Sequence, residues 1–403
     1  MQPLKSKRIL LGVTGSIACY KAADLASTLS QLGAHVDVVL TSAATKFIAP
    51  LTFQSVTGRH AYTDEDLWGP EGHVLHVSLG KEADWIVIAP ATANTLAKLA
   101  HGQADNLLTL AALASTTPLL LAPAMDGGMY KHPATQANLE TLKGRGIHII
   151  GPVTGHLASG LSGLGRMVEP AQLVGQVRYL LGRNGSLVGR KVLVTAGGTQ
   201  EAIDPVRSIT NRSSGKQGYA LVQAALDMGA EVTLISSPTA LEVPVGAKPV
   251  RVTSAEEMLE AVLNEVKTAD ALLMAAAVAD FRPAKVTQKK IKRAADTLTI
   301  ELINNPDILF EVSKARGKRN KPHIVVGFAA ETEDLLKNAK HKVDAKNLDL
   351  IVANDIKSDD AGFEVDTNRV VLLDKAGNKE ELPLMSKAEV AQIVLERVAT
   401  LLS

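Results

Sequence analysis

Short apolar runs alternate with amphipathic stretches along the whole chain. In the first half the runs are ILLGVT (9–14), HVDVVLT (35–41), WIVIAPA (85–91), PLLLAPAM (118–125) and IHIIGP (147–152). In the second half they are KVLVTAGG (191–198), EVTLISS (231–237), ALLMAAAV (271–278), HIVVGFAA (323–330) and LDLIVAND (348–355). A continuous apolar run of that length is the mark of a strand buried on both faces. The helical patterns between the runs predict βαβ units around parallel sheets, with right-handed crossovers laying helices on both faces. QLGAHVDVVLTSA (31–43) and DMGAEVTLISSPT (227–239) share Gly-Ala, one residue, Val and an apolar strand, the helix-to-strand junction of doubly wound folds. The chain therefore reads as two similar α/β domains.

LLGRNGSLVGRK (180–191) follows a predicted helix at 170–181 and places the boundary near 186, giving domains 1–186 and 187–403. NRVVLLDKAGNKEELPL reads as a hairpin turning at Ala-Gly-Asn, and Ser386 with Glu389 as a capping box opening the last helix. The most membrane-like window, LLTLAALASTTPLLLAPAM, is broken by Ser115, Thr116, Thr117 and Pro118. It reads as a helix, a turn and a buried strand rather than a span. The basic start MQPLKSKRILLGVTG runs into glycines too soon for the apolar core of a secretory signal.

Composition narrows the function classes. Lys and Arg total 43 against 42 Asp and Glu, a net charge of +1, so no basic field calls for nucleic acid or an anionic membrane. Aromatics at 3% argue against a base-stacking surface. The single cysteine, Cys19, excludes an intrachain disulfide framework, suits a reducing compartment and reads as a small buried filler. The expectation is a cytoplasmic protein acting on small molecules.

Two glycine loops carry candidate chemistry. The first strand runs into Thr14, Gly15 and Ser16 and then a helix, whose unpaired N–H groups and positive dipole end form a natural phosphate site. Only Gly12 and Gly15 are present, so the dinucleotide spacing G-x-G-x-x-G is absent. A Rossmann dehydrogenase is disfavoured and a mononucleotide stays open. Thr41 and Ser42, ending the second strand, offer further hydroxyls. In the second half, TAGGTQEAIDPVRSITNRSSGKQG (195–218) resembles a P-loop at Ser213–Lys216, but Gln217 breaks the Walker pattern. A connection this long is functional or disordered, and its density of donors favours anion binding. In LAPAMDGGMY (121–130), Asp126 either faces a pocket at the strand end or caps the next turn.

Read in order, the motifs GVTGSIACYK, LHVSLGKEADWIVIAPATANTLAKLAHGQADNLL, the PAM-x-x-x-M loop and SGLGRM resemble flavin-dependent cysteine decarboxylases. TAGGTQEAIDPVR, TNRSSGKQG, AAAVADF, KKIKR, NNPDI, GFAAET and KNLDLIVAND resemble a ligase. Over essentially all 403 residues the chain resembles the bacterial bifunctional phosphopantothenoylcysteine decarboxylase/phosphopantothenate–cysteine ligase family of coenzyme A biosynthesis. The resemblance implies two Rossmann-like domains, an N-terminal flavodoxin-like flavoprotein of the HFCD type and a C-terminal doubly wound ligase domain.

For the first domain the resemblance implies FMN, its phosphate near Gly15 and Ser16 and the hydroxyls of Thr41 and Ser42. Thr92, Asn94, Asp105 and Asn106 border flavin and substrate. His76 matches the family's catalytic histidine, and an imidazole titrates near neutrality, where a proton has to be taken. Its bland alternatives are a surface histidine or a metal pair with His73, the latter disfavoured by only two nearby ligands. Two positions depart from the family: Asp126 replaces an asparagine that holds the substrate carboxylate, and Ser159 replaces a cysteine acid. An ionised Asp126 about 4 Å from that carboxylate is repelled by a few kcal/mol at an effective dielectric near 20. A working variant therefore carries Asp126 protonated, donating the bond that the amide donated. The alternative is an active ligase whose flavin domain has altered or lost turnover, or, with no turnover at all, a flavin-binding scaffold.

For the second domain the resemblance implies activation of 4′-phosphopantothenate by CTP to an acyl-cytidylate, which cysteine then attacks. Lys290 matches the catalytic lysine, with Lys292 and Arg293 completing its motif; the bland reading is a solvated basic loop. Asn211 and Arg207 meet the acyl phosphate and phosphopantothenate, and Asp280 and Phe328 the nucleotide. Lys342 and Lys346 are implied at the triphosphate; at i, i+4 they share a helix face, where like charges favour an anion between them. Mg2+ is expected with CTP, its protein ligands unassigned. A homo-oligomer with the flavin site at a subunit interface is implied as well.

Overall fold

The computed structural model describes residues 3–69, 72–158, 160–292, 298–319, 321–331, 335–355 and 365–403. The chain divides into two compact units, Gln2–Leu181 and Gly182–Ser403.

Alternating side chains of a strand leave opposite sheet faces, and in the first unit both faces are buried. Ile9, Leu11 and Val13 of strand Arg8–Val13 enter one core with Leu25 and Leu29 of helix Cys19–Gln31. Leu10 enters a second core with Leu107 and Leu108 of helix Leu107–Leu113. Strand Trp85–Ala91 repeats the division, Val87 and Ala89 on one side and Ile86 and Ile88 on the other. Each fully buried aliphatic side chain contributes about 1.5–3 kcal/mol, so the apolar run survives on both faces instead of alternating with polar residues.

Among the described residues this sheet has six parallel strands. From edge to edge they are Ala61–Tyr62, His35–Leu40, Arg8–Val13, Trp85–Ala91, Leu119–Pro123 and His148–Ile149. The chain builds outward from Arg8–Val13, returns to the middle and continues the other way. The order therefore reverses between Arg8–Val13 and Trp85–Ala91, where such folds open a crevice at the strands' carboxyl ends.

The second unit repeats the plan in an eight-stranded sheet. Its order is Lys248–Arg251, Glu231–Ser236, Lys191–Ala196, Ala271–Met274, Ile324–Glu331, Leu350–Asp355, Val370–Asp374 and Lys379–Glu381. The first six are parallel and the last two are the antiparallel hairpin read from the sequence. The closing helix Lys387–Leu402 starts at the capping box, Ser386 N donating to Glu389 Oε2 at 2.8 Å and Glu389 N to Ser386 Oγ at 3.2 Å. Its buried stripe of Val390, Val394 and Val398 packs the helix against Lys216–Asp227.

Every apolar run singled out above carries a strand: WIVIAPA coincides with Trp85–Ala91, and the others are trimmed or shifted at their ends, most of all at His148–Ile149 and Ala271–Met274. The membrane-like window is the helix Leu107–Leu113 and the strand Leu119–Pro123, and among the described residues no helix is long and apolar enough to cross a membrane. Cys19 is buried, and burial pushes its thiol above the ordinary range.

Candidate functional site

A cavity of about 590 Å3 opens at the carboxyl ends of the first sheet. Gly15, Ser16, Thr41, Ser42, Thr92, Asn94, Asp105 and Asn106 all line it. Thr14, buried at the end of the first strand, ties the crevice together. Its Oγ1 donates to the Pro90 carbonyl at 2.7 Å and accepts from Thr92 N at 3.1 Å, joining the strands at the reversal of order. Thr92 then caps helix Ala93–His101, and Asn106 caps Leu107–Leu113 by accepting from Thr109 N at 2.9 Å. Gly15 is required by proximity, because a Cβ there would lie 2.5 Å from that of Ala43.

Two hydroxyls of the cavity wall also bond within the protein. Ser42 Oγ donates to Asp64 Oδ2 at 2.6 Å, and Thr41 Oγ1 donates to the Val13 carbonyl at 3.4 Å while accepting from Ala44 N at 3.3 Å. Each is a rotor that carries one donor and two acceptor positions at the cavity wall. Asp64 also accepts from Leu107 N at 3.0 Å, which fixes it at the rim.

Asp64 and Lys98 line this cavity and were missed in the sequence. Lys98 follows Asn94 by four residues on one helix, so the two share a face, a spacing that marks it. Its ammonium bonds both oxygens of Asp105, at 2.7 and 2.8 Å, and holds that carboxyl below the usual range.

His76, half-buried on helix Gly72–Glu82, is not among the lining residues. Its Nδ1 is buried with no hydrogen-bond partner. Asp126 caps the next turn, its carboxylate accepting from Gly128 N at 2.8 Å and opening helix Gly127–Lys131. Its neighbours Met125 and Met129, not Asp126 itself, line the cavity. Ser159 and Arg293 lie outside the described residues.

The second unit has two adjoining cavities of about 340 and 460 Å3, and Ala276, Val278, Asp280 and Phe328 line both. Asn211 and Lys342 line the smaller, Lys346 and Asn305 the larger. Gly215 takes φ +74°, a left-handed conformation that glycine adopts without strain, and turns the Ser213–Gly215 stretch into helix Lys216–Asp227. Asn211 Nδ2 donates to the Val278 carbonyl at 3.0 Å, keeping a second N–H for a ligand. Asn305 holds the Asp280 turn, its N bonding the Asp280 carbonyl and its Nδ2 the Ala279 carbonyl, both at 2.8 Å. Lys346 pairs with Asp307 at 2.9 Å, so it is not the bare like-charge neighbour of Lys342 that the sequence suggested.

Lys290 and Lys292 are exposed, and with Arg207 they line neither cavity. What joins them is the peptide of Ile291. Its N–H donates to Asp204 Oδ2 at 3.1 Å, and its carbonyl accepts from Arg207 Nη2 at 3.2 Å. Asp204, 3% exposed, also accepts from Val206 N and Arg207 N, each at 2.8 Å. The Val206 N–H foremost holds this carboxyl below the usual range. A depressed carboxyl contributes fully above its unfolded value and loses that contribution only as pH falls through the lower folded value. The clamp is therefore intact at neutral pH. Asp204→Ala removes it, and tryptic cleavage after Lys290 and Lys292 is expected to quicken several-fold; an unchanged cleavage rate would show the loop to be held elsewhere.

Among the described residues no group of three or more His, Cys, Asp or Glu is placed to hold a metal.

Residues 187–402 match the family described as DNA/pantothenate metabolism flavoprotein C-terminal domain, and residues 1–182 the family described as Flavoprotein. The chain is similar to the coenzyme A biosynthesis bifunctional protein CoaBC of Bacillus subtilis (strain 168), 45% identical over 401 residues, 99% of this chain and 98% of that one. It is 43% identical over 409 residues to the CoaBC protein of Mycobacterium tuberculosis (strain ATCC 25618 / H37Rv), covering 98% of this chain and 97% of the relative. A crystal structure of the C-terminal domain of a CoaBC protein aligns with a TM-score of 0.46 and 41% identity, over 54% of this chain and 98% of that one.

Proposed function

This chain belongs to the family of coenzyme A biosynthesis bifunctional proteins, and from that premise we propose how its two units divide the work. The second, residues 187–403, joins 4′-phosphopantothenate to cysteine with CTP. The first, residues 1–186, decarboxylates the product with FMN. The single observation that carries the division is that each unit has its own polar cavity at the carboxyl ends of a doubly wound sheet.

In the ligase, the phosphopantothenate carboxylate displaces pyrophosphate from CTP, and the cysteine amine then displaces CMP to leave an amide. Negative charge gathers where carboxylate and phosphate meet, so fixed cations and donors have to be in place beforehand. Lys290 supplies the charge at the reacting phosphate, on a loop braced by Asp204. Asn211 donates its remaining N–H to the acyl carbonyl. Phe328 and Asp280 border the nucleoside, and Lys342 and Lys346 the phosphates, with Lys292 and Arg207 at the rim. Mg2+ is bound mostly through substrate phosphates and needs few protein carboxylates; Asp280, shared by both cavities, suits that role.

The first cavity fits FMN: the missing Cβ at Gly15 lets the turn after the first strand pack against Ala43 and bring its backbone to the cavity wall for a phosphate, and Thr92, Asn94 and Asn106 set polar groups around the remainder. When bound, the flavin supplies a reversible two-electron store. The net change is loss of CO2 from the cysteinyl carboxylate, with a proton taking its place. Lys98 and Asp105 orient one wall. His76 manages the proton at a flavin of a neighbouring subunit, which reconciles its unmet Nδ1 with its absence from the cavity of its own chain. Helices Cys19–Gln31 and Pro50–Thr57 pack together with Tyr20 63% and Leu51 68% exposed, and Trp68 is 89% exposed, apolar surface that supports a homo-oligomer. The single buried cysteine suits work in the cytoplasm.

The test is incubation with 4′-phosphopantothenate, cysteine and CTP, reading pyrophosphate, CO2 and product mass. CO2 and pyrophosphate in equal amounts, with 4′-phosphopantetheine as product, support the reading. Pyrophosphate without CO2 leaves the ligase and removes the decarboxylase, the alternative favoured by the commitment of Asp126 to a helix cap. Accumulation of an enethiol shows that the reductive half fails at Ser159 or Asp126. Absence of pyrophosphate rejects the ligase.

A further inference from the structure

Asn368 is a buried carboxamide with nothing to bond. It is 1% exposed, neither its Nδ2 nor its Oδ1 has a hydrogen-bond partner, and it lines the 340 Å3 cavity. Buried polar groups are nearly always paired, so an amide orphaned at both ends and bordering a cavity points to a ligand. The fold puts it there deliberately. Thr367–Asn368 pairs antiparallel with Met385–Ser386, setting Asn368 beside the first turn of the closing helix. Lys387, the first residue of that helix, is 6% exposed and lines the same cavity.

The start of helix Lys216–Asp227 is stitched to the same place. Lys216 Nζ bonds Asp366 Oδ1 at 2.6 Å, Lys387 N donates to the Asp366 carbonyl at 3.0 Å, and Gln217 Nε2 donates to the Lys387 carbonyl at 3.2 Å. Gln217 Oε1 is buried without a partner.

We propose that Asn368 and Lys387 form the floor of the polyphosphate end of this cavity, Asn368 holding the terminal phosphates of the nucleotide and their hydrated cation. The identity of the nucleotide rests on the ligase reading above; the phosphate floor does not. An amide offers one donor end and one acceptor end. Two ligand groups satisfy both: the edge of a pyrimidine base, or phosphate oxygens accompanied by cation-bound water. The surroundings decide between them. A helix N-terminus and two lysines concentrate positive charge at this end, which strengthens binding of an anion and adds little for a neutral base. Burial, and then the Lys216 charge, push the Lys387 ammonium below its ordinary range with Asp366 opposing, which an arriving anion reverses.

The experiment uses the full chain, with thermal unfolding and calorimetric titration of magnesium pyrophosphate, magnesium CTP and 4′-phosphopantothenate. In Asn368→Leu the orphaned amide is gone, so the unliganded chain is expected to melt higher than the wild type. Its affinity for pyrophosphate and CTP should fall about 10- to 100-fold, the scale of a lost bond to a charged group, with 4′-phosphopantothenate binding unchanged. A Leu variant that melts lower and binds pyrophosphate as before overturns the proposal, since Asn368 then serves only the fold. Lost affinity for 4′-phosphopantothenate with pyrophosphate binding retained overturns it too. Should the Leu variant not fold, Asn368→Asp keeps the shape and sets a carboxylate against phosphate; pyrophosphate bound at wild-type strength by it rejects the floor. A wild type that binds pyrophosphate but not CTP rejects the nucleotide reading and leaves the phosphate floor standing.

Discussion

Gly15→Val is expected to yield a folded chain that purifies without flavin colour, while pyrophosphate release from the second unit is expected to continue at the wild-type rate. The reason is local crowding. A Cβ at position 15 would sit 2.5 Å from the Cβ of Ala43 and 3.1 Å from its carbonyl carbon, closer than real side chains approach. Ala43 cannot retreat freely, because the next residue is anchored, Ala44 N bonding both the carbonyl and the hydroxyl of Thr41 at 2.8 and 3.3 Å. The loop at Gly15 has to move instead, and it is the loop at which we place the flavin phosphate. Overpacking of this kind costs about 1–3 kcal/mol, roughly 10- to 100-fold in flavin affinity if all of it falls on binding. Absorbance of the purified variant, before and after soaking in FMN, is the measurement. A variant as yellow as the wild type would move the flavin phosphate away from this turn.

Lys290→Met is expected to lower the turnover of ligation by about 10²–10³-fold, the range seen when one fixed charge or donor is removed from a developing anion. Methionine keeps most of the stem, and the Ile291 clamp holds the loop without using the Lys290 side chain, so only the charge is lost. The KM for CTP should move little, since the lysines lining the nucleotide cavities are untouched. Decarboxylation of supplied 4′-phosphopantothenoylcysteine should be unaffected. Turnover within a factor of a few of the wild type would return Lys290 to the class of solvated surface lysines, which its exposure in the isolated chain resembles.

The architecture was legible because burial on two faces leaves a signal that single residues cannot blur. Ile9, Leu10 and Leu11 are all apolar since each face of their strand meets a core. Short elements left no such signal: Ala61–Tyr62 and Thr367–Asn368 have two residues each, too few for a period to be visible. The glycine turn of the first cavity was legible because it is local, whereas Thr92, Asn94, Asp105 and Asn106 came only from the family resemblance. Asp64 was not legible, because what brings it to Ser42 and Leu107 is sequence-distant pairing. The same holds for Asn368. In the sequence it is one polar residue in a run of polar residues, and only the ladder to Met385–Ser386 buries it. Thr41 and Ser42 border the cavity, but the bonds their hydroxyls make to Val13 and Asp64 depend on neighbours the sequence does not display.

The two outermost strands of the eight-stranded sheet carry a consequence for assembly. One margin is Lys248–Arg251, in which Pro249 lacks an N–H and charged residues stand at both ends; the other is the short, fully charged Lys379–Glu381. Proline and charge are how natural sheets refuse a further strand. Growth into a continuous intermolecular ribbon is thus closed off on either side, which guards the chain against fibrous aggregation. Copies of this unit that associate are directed away from these two edges to the rest of its surface.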